Sequence, residues 1–593
     1  RERREFAILG GGVFSDDGRL SGTCFRALPA AKDILREGIL FRTRQVPDRS
    51  VLERSTDDVV ETEVVSGSIL ALTKESHDLL GPMDEDFFLY REDVEWCHRA
   101  IEMGKKVGVV PGARFVHAGG ASTRVAEGPA LAARVLADFH YFGKTGGTGT
   151  SEVRRFWMRV LRFRTALYCL DAVMGILGRR PGSRRRAAAY RIIRRSLREF
   201  EWSPTSGQAA HPSRLCSMPV VRPRAPGDER PRVLFVIPDM DIGGAQRRIE
   251  YLTHGPLAER FDFEVFCLRR NGVIGERFTR PVPIWEAGVG SWRSLRTWAQ
   301  VRDYCELLEP DIVQSATLAA DGAVRIGFRG RVPWVSAQVS VAPWMSLPLR
   351  MLHRAAAGRA DIVYAVSDDV AESMTHLSKL GMLPRVVPNP PMIPFAEGPP
   401  RRFPEGSPVV LLSIGRLVPH KGVDTFLRTA AALDGTRPGR FRFRVVGEGR
   451  AAEELRQLSR DLGIEELVEF RGGVSDVVTE YDETDITLLF STGEGSPNSI
   501  LETLARGRVP LVLKVPGIEG ILPAALEPCL VDSATPEAFA ERVLDMLDNE
   551  DDYLARVAEA REELKRRRDL YESIMERLYL ELLPEMGEDR RVR

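Results

Sequence analysis

Closely spaced cysteines are missing from this chain. Its seven (Cys24, Cys97, Cys169, Cys216, Cys267, Cys305 and Cys529) are scattered, with no C-x-x-C pair. That spacing excludes a zinc ribbon, a dithiol redox site and a small disulfide scaffold, and it reads as free thiols in a reducing compartment. Net charge is absent too. The 84 Lys and Arg balance 84 Asp and Glu, so the whole calls for no polyanionic partner. No apolar run approaches the ~20 residues of a membrane-spanning helix. Neither a signal peptide nor an internal repeat is visible. The chain opens at Arg1 without an initiator methionine, inside what reads as a strand at Phe6-Ala7-Ile8-Leu9-Gly10. The expectation is therefore a fragment or a degenerate front domain within a soluble, cytoplasmic protein. Its 593 residues suit three or four domain-sized units.

What the chain does have is a series of strand-to-helix corners bearing glycine or charge. Ile486-Thr487-Leu488-Leu489-Phe490 reads as a strand. It leads into Glu494-Gly495-Ser496-Pro497-Asn498-Ser499-Ile500-Leu501-Glu502, which opens a helix ending near Gly507. Ser496 suits the N-cap and Pro497 the first helical position. Free N–H groups, a positive dipole end and two carboxylates then lie together, which suits a sugar joined to a phosphate. The plainer reading is a capped helix with two solvated glutamates. Upstream, Leu411-Leu412-Ser413-Ile414-Gly415 reads as a buried parallel strand followed by Arg416 and Lys421 in its loop. Open α/β sheets bind ligands at such loops. A guanidinium fork with a mobile ammonium is chemistry for a diphosphate. The strand Phe441–Val446 leads into Gly447-Glu448-Gly449, where the backbone can approach a nucleotide closely. Val233-Leu234-Phe235-Val236-Ile237 leads likewise to Gly243-Gly244-Ala245-Gln246-Arg247.

Together these corners, with AVSDDV at 365–370 and PNP at 388–390, resemble family 4 retaining glycosyltransferases of the GT-B fold. The resemblance spans residues 231–590. It implies an α/β architecture of two Rossmann-like lobes: an N-terminal acceptor lobe at 231–395, a donor lobe at 396–566, and a last helix within 567–593 that returns to the first lobe. It implies that Arg416 and Lys421 neutralise the leaving diphosphate of a nucleotide-sugar donor. Glu502 would take the ribose hydroxyls and Glu494 a hydroxyl of the donor sugar. The backbone from Gly495 through Ser496 and Pro497 to Asn498 would touch sugar or phosphate, with Gly243 and Gly244 closing from the other lobe. No divalent metal is implied for this module. Its acceptor would be a glycan or a lipid-linked saccharide of cell-surface polysaccharide synthesis. Many relatives carry a histidine where this chain has Gln338. His353 and His376 fall in helix-like runs and read as structural, and His420 reads as a loop residue beside Lys421.

The front of the chain differs. Val64–Leu72 alternates like a strand, and residues 83–99 interleave acids with aromatics. Buried carboxylates need partners, so packing alone seldom explains such density. With His117 ahead of glycines, this region resembles the acceptor half of family 2 glycosyltransferases of the GT-A fold. That resemblance covers 5–125 within a front domain of 1–125. It implies Asp93 as the general base with Glu92 beside it, and His117 near a metal or diphosphate. The plainer reading has Asp93 tied to its helix through Arg99, and His117 as a buried turn residue. The donor-binding half of such a domain is not in the sequence, and Asp16-Asp17 lies in a turn. A divalent metal is thus expected only where a longer parent carries an intact family 2 domain.

Between these parts, residues 126–202 form a basic helical region. Its stretch 151–200 holds fourteen arginines against three acids. A basic helix with aromatic neighbours can lie on an anionic membrane surface, which predicts peripheral contact at the inner face of the membrane. The alternative is a docking helix whose arginines meet acids. No nucleic-acid motif accompanies the charge. Residues 203–230 are rich in Pro, Ser and Gly and read as a flexible linker. Two other functions fit parts of the pattern: a catalytically silent transferase-like scaffold binding nucleotide or glycan, and a nucleotide-sugar epimerase of GT-B shape. The full set of Arg416, Lys421, Glu494 and Glu502 favours the transferase.

Overall fold

A computed structural model describes residues 5–14, 25–40, 58–117, 127–146, 149–174, 183–201, 229–288, 295–327, 332–339, 346–374, 384–474, 476–493, 496–515, 518 and 521–583. They form two compact units, residues 1–229 with 299–309, and residues 230–298 with 310–593.

In the first unit, β1 (Phe6–Phe14), β2 (Phe25–Arg26), β3 (Val60–Thr62), β4 (Val64–Val65), β5 (Leu70–Ala71) and β6 (Lys106–Val116) make a four-stranded sheet of order β3-β6-β1-β5 and a small β2-β4 pair. β1 and β6 run parallel, with β5 and β3 antiparallel at the edges. The single strand expected over Val64–Leu72 is two short strands instead. A turn closes between them by Ile69 N–H donating to the Ser66 carbonyl, and the Gly67 N–H is taken by the Asp93 carboxylate. Side-chain capture of a backbone donor here replaces the ladder bond that a continuous strand would need. The helix Glu92–Glu102 buries Val94, Trp96, Cys97 and Ala100. Three longer helices follow, Glu127–Lys144, Thr150–Met174 and Ser183–Glu199.

The second unit is built on two parallel sheets. β7 (Arg232–Ile237), β8 (Asp262–Cys267), β9 (Ile284–Glu286), β10 (Ile312–Ala316), β11 (Trp334–Gln338), β12 (Ile362–Ala365) and β13 (Arg385–Val386) lie in the order β13-β12-β11-β10-β7-β8-β9. β14 (Val409–Ile414), β15 (Phe441–Val446), β16 (Val468–Gly472), β17 (Ile486–Leu489), β18 (Val509–Leu513) and β19 (Leu530–Val531) lie in the order β16-β15-β14-β17-β18-β19. Strands buried on both faces read as unbroken apolar runs, which is why β7, β14 and β17 stand out in the sequence. These are two Rossmann-like lobes, each with its own core. The helix Glu550–Leu582 serves both. Tyr553, Val557 and Leu564 pack into the second lobe, and Tyr571, Met575 and Tyr579 into the first.

Candidate active site

Each parallel sheet of the second unit reverses its winding once. In the first lobe the reversal falls between β7 and β10, and in the second between β14 and β17. A crevice opens beyond the carboxyl ends of the strands at such a point, because the two flanking loops leave in opposite directions. Gly243 and Gly244 follow β7. Arg416 and Lys421 follow β14. Ser496, Pro497 and Asn498 follow β17.

The second lobe's loops are stitched to one another by backbone. Leu417 N–H donates to the Glu448 carbonyl at 2.9 Å, Ala451 N–H to the Leu417 carbonyl at 3.1 Å, and Thr492 N–H to the His420 carbonyl at 3.0 Å. The glycines make this possible. Gly447 has φ +136, and a Cβ there would sit 1.8 Å from the Gly415 carbonyl oxygen; a Cβ on Gly449 would sit 2.2 Å from that of Leu417. No side chain fits at either place. The loop bearing Arg416 and Lys421 is therefore held directly against the loops after β15 and β17. Arg416 is exposed. Lys421 is half-buried in the 3₁₀ turn Pro419–Lys421, and His420 is exposed beside it.

The helix after β17 runs Asn498–Ala505. Pro497, not Ser496, occupies its N-cap position, and no side chain caps it. Pro497 has a helical φ of −75° but an extended ψ of 90°, so the helix begins one residue later than the Ser-Pro pair suggests. The Ser496 hydroxyl is buried with no hydrogen-bond partner among the described residues. Glu502 is buried. Its Oε2 accepts from the Tyr481 hydroxyl at 2.8 Å, while Oε1 has no partner among the described residues. Burial pushes the Glu502 carboxyl up, and Arg247 from the first lobe is the leading opposing influence. The lobes meet here: Asn389 Nδ2 donates to Asn498 Oδ1 at 3.2 Å, and a Cβ on Gly244 would lie 3.0 Å from Asn498 Nδ2. Glu494 and Gly495 lie outside the described residues.

Family comparisons match this second unit. Residues 242–390 match Glycosyltransferase Family 4, and residues 408–549 match Glycosyl transferases group 1. Both matches lie in the second unit, whose two lobes are thus similar to glycosyltransferases of these two groups. The lipopolysaccharide core biosynthesis glycosyltransferase LpsE of Rhizobium meliloti is 29% identical over 156 residues, 26% of this chain and 44% of its own. A Campylobacter jejuni α-1,4-N-acetyl-D-galactosaminyltransferase, named for a diNAcBac-PP-undecaprenol-linked acceptor, is 34% identical over 95 residues, 16% of this chain and 26% of its own. The chain thus spans less than half the length of these curated relatives. Anabaena HepE, solved with UDP-glucose, is 20% identical over 58% of this chain and 99% of its own, at a TM-score of 0.49. The strand order, rather than that likeness, carries the fold.

Two residues of the second unit, Arg247 and Thr317, were given no role by sequence reasoning. Arg247 stood inside a quoted motif but was given no role, because its electrostatic influence on Glu502 crosses from one lobe to the other. Thr317, immediately after β10 at the first lobe's reversal, has φ +120. Strained non-glycine backbone of this kind collects at functional sites. Gln338 is buried at the end of β11 and donates to Asp321 Oδ2 at 3.3 Å and Ser336 Oγ at 2.8 Å. Asp321 also takes His353 and the hydroxyls of Ser315 and Ser336. His353 is thereby fixed in the lobe interior, and His376 lies outside the described residues.

In the first unit, Asp93 is buried. Its carboxylate meets the Arg26 guanidinium at 3.3 Å and the N–H groups of Gly67 and Val94 at 3.0 and 2.8 Å. Arg99 pairs with Glu95 rather than Asp93. Glu92 is the acid pushed up, by burial first and by Asp93 second, and its Oε2 has no partner among the described residues. Tyr90 and Arg91, just ahead, both take the left-handed conformation, with φ of +71° and +70°. Arg91 is held there by Asp138 at 2.7 Å. His117 is exposed at the end of β6, not buried in a turn. Asp16 and Asp17 lie outside the described residues. Asp84, Asp86 and His140 converge within 4.8 Å. Burial raises the Asp84 carboxyl, but Lys144 leads the hydrogen bonds that outweigh it and hold the group at about 2. The Lys144 ammonium, 2.9 Å from Asp84 Oδ2, stands where a cation would, so these residues do not fit a metal.

Proposed function

We propose that the transferase module moves a sugar from a nucleotide-sugar donor to a glycan or lipid-linked saccharide in cell-surface polysaccharide synthesis, with retention of the donor's anomeric configuration. What supports this reading is that the loop bearing Arg416 and Lys421 and the Asn498 helix start follow the two strands that flank the second lobe's reversal, and that Asn498 lies against Gly244 of the first lobe. Arg416 and Lys421 neutralise charge developing on the leaving diphosphate, and the free N–H groups at the helix start add to them. This preorganised charge supplies what a divalent ion would otherwise supply, so the module is proposed to work without one. The orphaned Oε1 of Glu502 accepts from a ribose hydroxyl, and Glu494 holds a hydroxyl of the donor sugar. Gly447 and Gly449 let the backbone approach the nucleotide, and Gly495 to Asn498 line the sugar and phosphate. Closure of the lobes excludes water and limits hydrolysis. The names of relatives acting on lipopolysaccharide core and on undecaprenol-linked saccharide support that acceptor class. The test is turnover against UDP-, GDP-, ADP- and dTDP-sugars with and without chelator. Transfer unaffected by chelator is expected from at least one donor; turnover that stops with chelator, or none with any donor, rejects the reading.

For the first unit we propose a family 2-like acceptor half, in which Asp93 is the general base for an acceptor hydroxyl with Glu92 beside it, His117 lies near the metal or donor diphosphate, and a divalent metal belongs only to a longer parent. The strained Tyr90-Arg91 pair ahead of these acids supports it. We further propose peripheral membrane contact from the cytoplasmic side through 151–200. Among the described residues no helix is long and apolar enough to cross a membrane. One face of the helix Thr150–Met174 exposes Arg155, Arg159, Arg162, Phe163 and Leu170, a mixture suited to anionic headgroups and the acyl boundary. Within the same unit Arg191 and Arg195 grip Asp303, so those two arginines serve packing. Co-sedimentation with phosphatidylglycerol vesicles, but not phosphatidylcholine ones, is expected and should be lost in Arg159→Glu/Arg162→Glu; equal recovery with both lipids rejects the contact.

A further inference from the structure

Arg248 follows Arg247 on the helix Gly244–His254 and is 2% exposed. A guanidinium stays charged in proteins, and a buried charge is costly unless an opposite charge answers it. Among the described residues no carboxylate pairs with Arg248. Its Nη1 reaches Asn389 Oδ1 at a long 3.4 Å, its carbon end lies 5.4 Å from the centre of the Tyr364 ring, and its Nη2 has no hydrogen-bond partner. The neighbouring Tyr571 hydroxyl is also buried and without a partner among the described residues. Among the described residues this is a positive charge inside the lobe beside phenols and an amide, with no carboxylate paired to it.

Its location is specific. Asn389 Nδ2 donates to Asn498 Oδ1 at 3.2 Å, and Asn498 Nδ2 is the atom that a Cβ on Gly244 would meet at 3.0 Å. Two hydrogen bonds therefore separate Arg248 from the start of the donor-site helix, and its own helix begins at the Gly243-Gly244 loop. An anion in the crevice would answer the unpaired charge, and the low-dielectric interior between them would weaken that attraction less than water does.

We propose that Arg248 is a positioning residue for the donor diphosphate, acting through its uncompensated charge and through Asn389, which holds Asn498 against the Gly243-Gly244 loop. The proposal rests on the nucleotide-sugar reading above. It separates charge from shape, so the signature is a loss that grows with ligand charge. Arg248→Met keeps the length and removes the charge. It is expected to fold with an unchanged or higher Tm, to bind UDP about tenfold more weakly, UMP less affected, and uridine as the parent does; the corresponding guanine or adenine series is used if wild type prefers it. Asn389→Asp sets a carboxylate against the guanidinium and is expected to give the same ordered loss in a well-folded protein, which keeps the test open should Arg248→Met misfold. Calorimetry for diphosphates and ligand-observed NMR for nucleosides supply the affinities. Equal losses for nucleoside and diphosphate, or none, in a folded variant overturn the proposal while leaving the transferase reading intact. Absence of any nucleoside diphosphate binding by wild type overturns that reading and this inference together.

Discussion

Lys421→Ala is expected to lower kcat by about a hundred- to a thousandfold, the scale of removing one preorganised group from a site where charge develops on the leaving group. Arg416→Ala should fall in the same range. Arg416 is exposed and makes no ion pair among the described residues, so its removal should leave stability within about 0.5 kcal/mol. Lys421 lies in a turn held by backbone, with Lys421 N–H donating to the Val418 carbonyl at 3.0 Å and Thr492 N–H to the His420 carbonyl. Neither bond uses the ammonium. Single-turnover rates with circular dichroism separate the effects. Full activity in either folded variant would show that the leaving diphosphate is stabilised elsewhere.

Glu502→Gln should have opposite effects on stability and on binding. The buried carboxyl is held above its ordinary value of 4.5 by desolvation. The folded protein therefore keeps this proton at pH values where the unfolded chain has released it. Wild-type stability from this group is fully present below about pH 4.3, declines as pH rises toward the raised folded value, and stays lower above it. The glutamine variant has no such decline. Its gain should be absent in acid and present at neutral pH, read as a rise in Tm that grows with pH. Nucleotide affinity should meanwhile fall about ten- to a hundredfold, since hydrogen bonds to a charged acceptor are worth about 1.5–3 kcal/mol each. A variant less stable than wild type at pH 7–8, or one that binds nucleotide undiminished, contradicts this account of Glu502.

The parts legible in the sequence were those whose cause is local. β7, β14, β15 and β17 are apolar runs because parallel strands bury both faces, and the glycine corners announce loops where backbone must touch backbone. Order along the chain placed Arg416, Lys421 and Asn498 after the carboxyl ends of strands, with Glu502 one turn into the helix that Asn498 opens. Local reasoning was less successful at the start of the Asn498 helix, which begins just beyond the Pro497 that local preference would place inside it. It could not reach features made by distant partners. The Asp321 hub that collects Gln338 and His353, the Arg26 guanidinium on Asp93, and the cation enclosed by Tyr364 and Asn389 all join residues with nothing adjacent to mark them. Val64–Leu72 alternates well enough for one strand, yet the distant Asp93 claims the Gly67 N–H.

The helix Glu550–Leu582 has a consequence for how the molecule is made. Val233 and Phe235 of β7 share an interior with Tyr571, Met575 and Tyr579, so the earlier lobe stays incomplete until translation has passed through the whole of the later one. During that interval its exposed apolar face is a hazard of the kind that holdase chaperones shield. A premature stop shortly after Leu564 would leave the later lobe whole and its predecessor open, so nonsense variants there should be recovered from cells as aggregates rather than as a silent, well-folded remnant.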